Sequence, residues 1–209
     1  MATLLHLSAS PRGAASESGA IAATFLDAYR ATHEGDEIVE WDLWDGTLPE
    51  FGPAAAAAKM AVFAGADPQG DEARAWSAAI ETFRRFDAAD GYLFSVPMWN
   101  AGVPYILKQL IDVISQPGLI FGVDPHAGYT PLLAGRGKQA AVIYTSAVWG
   151  PTKGPEFGRD FHSTFFDDWL RWTGITDISD IRYHPTLTGD RDALRAEAHA
   201  AARQTGGRL

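Results

Sequence analysis

Three short stretches of the chain combine residue types that suit a phosphate and a flat heterocycle. The first, Ser8-Ala9-Ser10-Pro11-Arg12-Gly13-Ala14-Ala15-Ser16-Glu17-Ser18, is rich in hydroxyls and small residues and runs into a helical pattern. A helix N-terminus offers free backbone N–H groups and the positive end of the helix dipole, so an anion is its natural guest. Glu17 works against a purely electrostatic attraction, so its expected contact is through its backbone N–H, with the carboxylate turned away. Ser16 or Ser18 would serve equally as a plain helix cap, and the sequence leaves both roles open. The second stretch, Pro97-Met98-Trp99-Asn100-Ala101-Gly102, offers a stacking face in Trp99 and both a donor and an acceptor in Asn100. The other reading is that Trp99 merely plugs the end of a sheet. The third, Thr145-Ser146-Ala147-Val148-Trp149-Gly150, again pairs a hydroxyl with a glycine.

Each stretch follows an apolar run that reads as a buried strand. Thr3 to Leu7 precedes the first, Asp90 to Pro97 leads into the second and Lys138 to Thr145 leads into the third. Two further strands are expected at Glu37 to Leu43 and Asp177 to Tyr183. Helical periodicity follows Ser16 or Ser18 up to His33 and Gly35, and spans Ala73 to Phe86, Arg159 to Trp172 and Asp190 to Arg203. Pro104 opens another helix, with Leu107, Leu110, Ile111 and Ile114 on one stripe and Gly118 closing it. Residues 44 to 70 carry prolines, glycines and an alanine run, and read as an excursion holding one short helix. Strand and helix alternate throughout, which calls for an α/β fold: a doubly wound, five-stranded parallel sheet of order 2-1-3-4-5 in one domain, residues 1 to 209. In such a sheet ligands bind outside the carboxyl ends of the strands, where the three stretches lie.

Composition narrows the chemistry. Net charge is -9, which leaves no basic face for nucleic acid or anionic lipid. Cysteine is absent, so disulfides, thiol catalysis and thiolate-bound metals are excluded. The six histidines have no metal-ligand spacing, so no metal is expected and most of the imidazoles read as surface or satisfied structural groups. No run is long enough to cross a bilayer, and the N-terminus lacks the basic and apolar regions of a secretory signal, so the expectation is a cytoplasmic protein. Gly135-Arg136-Gly137-Lys138-Gln139-Ala140 fits a loose dinucleotide pattern but precedes a strand instead of following one, and is set aside. Neither a Walker-type phosphate loop nor a nucleophile elbow is present.

Taken together, SASPRGAASES, PMWNAGVPYILKQLID and GLIFG resemble the FMN-dependent NADH-azoreductase and NAD(P)H-quinone reductase family of flavodoxin-like proteins, from Leu4 to about Asp177. The PMWN element followed by P-x-x-LK-x-x-ID is the most specific part. The resemblance implies that Ser10, Ser16, Glu17 and Ser18 hold the phosphate of FMN. It implies that Pro97, Met98, Trp99, Asn100 and Ala101 line the isoalloxazine, with Asn100 and Trp99 nearest the chemistry, and that Ser146 lies at another edge of the ring. NADH or NADPH would be the donor and a quinone or azo compound the acceptor. Family members often carry a Gly-Gly pair after the fourth strand, where this chain has Ala147-Val148-Trp149-Gly150. Phe121 and Phe165 have no evident work inside one subunit. By resemblance they would reach over the flavin face in a homodimer, at least one coming from the partner; the other reading is that both are core. Two further readings compete with the enzyme: a flavodoxin-type carrier of single electrons, and a fold relative that has lost FMN and acts as a binding module.

Overall fold

A computed structural model describes all residues, 1–209. The central sheet consists of β1 (Thr3–Ser8), β2 (Glu37–Asp42), β3 (Gly91–Pro97), β6 (Gln139–Thr145) and β7 (Asp177–Tyr183), all parallel, in the order β2-β1-β3-β6-β7. Counting only these five strands, that is the expected order 2-1-3-4-5. The connecting helices are α1 (Glu17–Thr32), α2 (Pro53–Phe63), α3 (Gly70–Asp87), α4 (Tyr105–Ile114), α5 (Ser163–Thr173) and α6 (Arg191–Gly206).

Period-two alternation on the strands divides the core in two. Leu4, Leu93, Ile143 and Ile181 pack with Ile21 and Phe25 of α1 and Ala198 and Ala202 of α6. On the other face Leu5, Leu7, Phe94 and Tyr144 pack with Phe83, Leu107, Leu110 and Phe166 of α3, α4 and α5. The three inner strands are buried almost continuously, as expected for parallel strands covered on both faces. Strand register aligns Ser8 with Asp42 and Ser95, and Pro97 with Thr145, which aligns in turn with Tyr183. The loops after β1, β3, β6 and β7 therefore leave the sheet at one end.

Two elements differ from expectation. Residues 121–131 form an antiparallel pair, β4 (Phe121–Asp124) and β5 (Gly128–Pro131), which the sequence reading passed over. Four-residue strands carry too little alternation to register as a pattern. Here a local turn and a tertiary contact hold them: Asp124 Oδ1 accepts from the N–H groups of His126 and Ala127, and Phe121 and Tyr129 both pack on Trp172. The fifth helix starts at Ser163, not Arg159, because Asp160 turns back to accept from the N–H groups of His162 (3.1 Å) and Ser163 (2.8 Å). Residues 159–162 are thereby held out of the helix. At the other end of α5, Gly174 has φ 104°, and a Cβ there would lie 2.3 Å from Ala134 N, so no other residue fits.

Candidate active site

The loop after β3 folds back in a two-residue hairpin turn. Asn100 (φ 49°) and Ala101 (φ 68°) are both left-handed, and Trp99 and Gly102 exchange N–H···O bonds of 2.8 and 2.9 Å. Asparagine tolerates this conformation; alanine costs about 1 kcal/mol in it. The N–H groups of Asn100 and Ala101 are not bonded within the chain. The Ala101 carbonyl accepts from Phe161 N at 3.0 Å, which ties the turn to the segment leading into α5. Trp99 is 36% exposed, and its ring lies 5.8 Å from Trp44 and 6.0 Å from Tyr105. Trp44 is itself fixed by donating Nε1–H to Ala9 O at 3.0 Å. Trp99 thus stands at the sheet end as one plate of an aromatic cluster, with part of its face free.

The loop after β1 carries a single 3-10 turn over Gly13–Ala15 and then α1. Ser16 does cap that helix, accepting from Gly19 N at 3.0 Å, and its hydroxyl lies 3.2 Å from that of Ser18. The N–H groups of Glu17 and Ser18 are left without partners in the chain, as the first turn of a helix requires. Glu17 points its carboxylate away, accepting from Arg195 Nη2 at 2.6 Å. That contact cancels the charge the loop would otherwise direct at an anion. Arg12 adds a cation to the same cleft. Orphaned N–H groups, buried hydroxyls of Ser10, Ser16 and Ser18 and one guanidinium suit a phosphate.

The loops meet. One cleft of about 160 Å³ is lined by Ser10, Arg12, Ser16, Glu17 and Ser18 from the first loop and by Pro97, Met98 and Trp99 from the second. Thr145, Ser146 and Ala147 from the third, and Thr186 after β7, complete it. Ser146 donates to Trp149 O at 2.6 Å, while its own carbonyl accepts from Thr186 N at 2.8 Å. The Ala147–Gly150 sequence is thus closed by a hydroxyl and by the segment after β7. A larger cavity of about 610 Å³ flanks the first loop on its other side, but Glu40, Asp42 and Asp45 line it and no cation does, which disfavours a phosphate there.

Beside the turn lies a third cavity of about 440 Å³, lined by Trp99, Asn100, Gly102, Val103, Tyr105, Lys108, Phe161 and Phe165. Phe165 is 36% exposed and Phe161 61%, so both rings present surface to it. Phe121 lies elsewhere. It is 4% exposed, its ring sits 5.2 Å from Tyr129 and 5.0 Å from Trp172, and it borders a separate cavity with Lys59 and Asp112. This corrects the expectation that Phe121 lacks work within its own chain: it anchors the β4–β5 hairpin.

Histidines are less peripheral than their scatter suggested, for His6, His162 and His184 are all buried. His162, 2% exposed, packs edge-on against Tyr144 beneath the β3 loop, and its Nε2 has no partner. Burial lowers His162 to about 4 despite the attraction of Asp160, and burial likewise lowers His184 to about 4. Tyr144 donates to Asp167 at 2.5 Å, and burial pushes both groups up. Arg12, Trp44, Tyr105, Phe161 and Thr186 were not singled out from sequence. Arg12 was legible in the serine loop as its one cation; the others depend on how separate loops pack.

Comparison with known proteins agrees with this architecture. A family described as having a flavodoxin-like fold matches residues 2–205. An FMN-dependent NADH:quinone oxidoreductase of Ruegeria pomeroyi is 44% identical over 190 residues, covering 91% of this chain and 92% of that protein. Another of the same name, from Desulfotalea psychrophila, is 39% identical over 96% of this chain and 93% of its own. Among solved structures, an FMN-dependent NADH-azoreductase from Bacillus anthracis in complex with FMN superposes with a TM-score of 0.89 at 21% identity, over 100% of this chain and 99% of that one.

Proposed function

This chain belongs to the flavodoxin-like family, among the FMN-dependent NADH:quinone oxidoreductases, and from that membership we propose that it is an FMN-dependent enzyme passing two electrons from NADH or NADPH to a quinone or azo acceptor. The observation that carries the reading is the convergence of the first, second and third loops on one cleft at the carboxyl end of the sheet. The names of the relatives belong to enzymes, which favours this reading over a carrier of single electrons.

When bound, FMN supplies the redox chemistry itself, accepting hydride and giving it up again. The chain supplies position. Ser10, Ser16 and Ser18, the N–H groups of Glu17 and Ser18, and Arg12 hold the phosphate. Pro97, Met98, Trp99, Asn100 and Ala101 line the ring, with the unbonded N–H groups of the turn free to bond its edge, and Ser146 sits at another edge. Phe161 and Phe165 wall the adjoining pocket, where they exclude water and hold a planar acceptor. Per turnover, NAD(P)H, a proton and a quinone give NAD(P)+ and a hydroquinone; an azo bond needs two such rounds to yield two amines. With a single open face, donor and acceptor take turns, which makes the kinetics ping-pong. We further read residues 1–209 as one doubly wound FMN-binding domain. It acts as a homodimer in the cytoplasm, where NAD(P)H is available, with Phe165 positioned for a shared acceptor site and Phe121 supporting it from the hairpin.

Flavin titration tests the reading. FMN should bind at one per chain and far more tightly than riboflavin, because the first loop is built around a phosphate. Equal affinity for the two would contradict it.

A further inference from the structure

The cleft assigned to FMN has two charged side chains in its lining, Arg12 and Glu17, and by themselves they cancel. A phosphate is drawn by the guanidinium and repelled by the carboxylate. Glu17 cannot leave the site by moving its backbone, because it is the first residue of α1 and its N–H is one of the donors left without a partner. That position also attracts an acidic side chain on its own account, since the positive end of the helix favours any anion. The carboxylate is thus a built-in rival to the phosphate unless something holds it aside. Arg195, in the second turn of α6, donates from Nη2 to Glu17 Oε1 at 2.6 Å. The helix that carries Arg195 is fixed against α1: His199 Nδ1 lies 2.7 Å from Thr24 Oγ1, and Gly206 sits so close that a Cβ there would fall 2.4 Å from the Phe25 carbonyl oxygen. Stability alone explains the pair poorly. Both side chains are partly exposed, where an ion pair adds little, and Arg195 Nε is buried with no hydrogen-bond partner, which costs the fold.

We propose that Arg195 is a positioning residue for FMN: by pairing with Glu17 it keeps that carboxylate out of the phosphate site and leaves the site the net positive charge that Arg12 alone does not give it. The inference rests on the FMN reading above and adds to it a dependence on the last helix of the chain. Arg195 itself is absent from the cleft lining, so it acts through Glu17 and not by touching the phosphate. Riboflavin, which has no phosphate, gains nothing from the pair.

The test is a double-mutant cycle read as the Kd of FMN and of riboflavin, from quenching of flavin fluorescence by the full-length chain. Arg195→Met should weaken FMN about 10-fold, as expected for an uncompensated carboxylate near a phosphate, and leave riboflavin within about 2-fold. In a chain that already carries Glu17→Gln, the same Arg195→Met change should alter FMN affinity by less than about 2-fold, because no charge remains to be held. Glu17→Asp tests the idea with Arg195 and α6 untouched, including the case in which Arg195→Met does not fold. It keeps the charge but is too short to keep the contact, so it should bind FMN about 5-fold more weakly than Glu17→Gln. Equal FMN affinity of Glu17→Asp and Glu17→Gln overturns the inference. So does a loss in Arg195→Met that is the same for riboflavin, which marks a defect of the fold, or one that persists alongside Glu17→Gln, which marks a role independent of the carboxylate. Each of these leaves the proposed function standing. If the wild-type chain binds neither flavin, or binds both equally, the proposed function itself fails, and the inference with it.

Discussion

Acid should loosen this fold through two buried imidazoles before it reaches the carboxylates. His162 and His184 are 2% and 9% exposed, and burial lowers each from 6.5 to about 4. A folded-state pKa below the unfolded one means that the unfolded chain takes up the proton more readily, so stability is complete above 6.5 and drains away as pH falls toward 4. At pH 5 each imidazole should have cost about 2 kcal/mol, a large share of the 5–15 kcal/mol typical of a domain. His6 and His199 shift in the same direction, so the wild-type slope alone does not isolate the pair. A variant does. His162→Gln keeps a polar group of similar reach but cannot charge, so the stability lost between about pH 7.5 and pH 5 should shrink by about 2 kcal/mol relative to wild type. Urea unfolding followed by tryptophan fluorescence at both pH values gives the difference directly. An identical loss in the two proteins would refute the claim that His162 is held neutral by burial.

Three further outcomes follow from the geometry. Replacing Ser16 and Ser18 together by Ala should weaken FMN binding by about 1 to 3 kcal/mol in equilibrium titration while leaving riboflavin affinity unchanged, with about 1 kcal/mol of stability lost through the Ser16 cap. Phe165→Ala should lower kcat/KM for aromatic acceptors yet cost well under the 3–5 kcal/mol of a buried phenylalanine in chemical denaturation, because the ring is 36% exposed. Asn100→Asp should slow flavin reduction in stopped-flow absorbance, since it puts a negative charge beside a ring that gains negative charge, and a rate equal to wild type would remove Asn100 from the site.

The sheet was legible because its strands are runs such as Leu4 to Leu7 and Tyr92 to Val96, buried on both faces, and because β-α alternation admits few topologies. The loops of the site were legible for a related reason: residue type at the end of a strand reports what the backbone there can bind. Pairwise packing was not. Trp44 meets Trp99 across 55 positions of sequence, and Phe161 reaches the turn only because Asp160 delays the start of α5. Phe121 shows the limit from the other side, for its segment GLIFG was recognised while the partners that occupy its ring, Tyr129 and Trp172, came from elements with no pattern linking them to it. Ser16 turned out to cap its helix, and the two roles left open for it do not compete, since capping through Gly19 leaves the N–H groups of Glu17 and Ser18 free.

The central claim is that this cleft holds a flavin which receives hydride from a pyridine nucleotide and hands it to an acceptor in separate steps. Anaerobic titration of the FMN-loaded protein tests it most directly. One equivalent of NADH or NADPH per chain should bleach the flavin absorption, and one equivalent of a quinone, added after the oxidised nucleotide has been removed, should restore it fully. Flavin that stays oxidised under excess NADH and NADPH, or that reoxidises only when nucleotide and quinone are present together, would contradict the account.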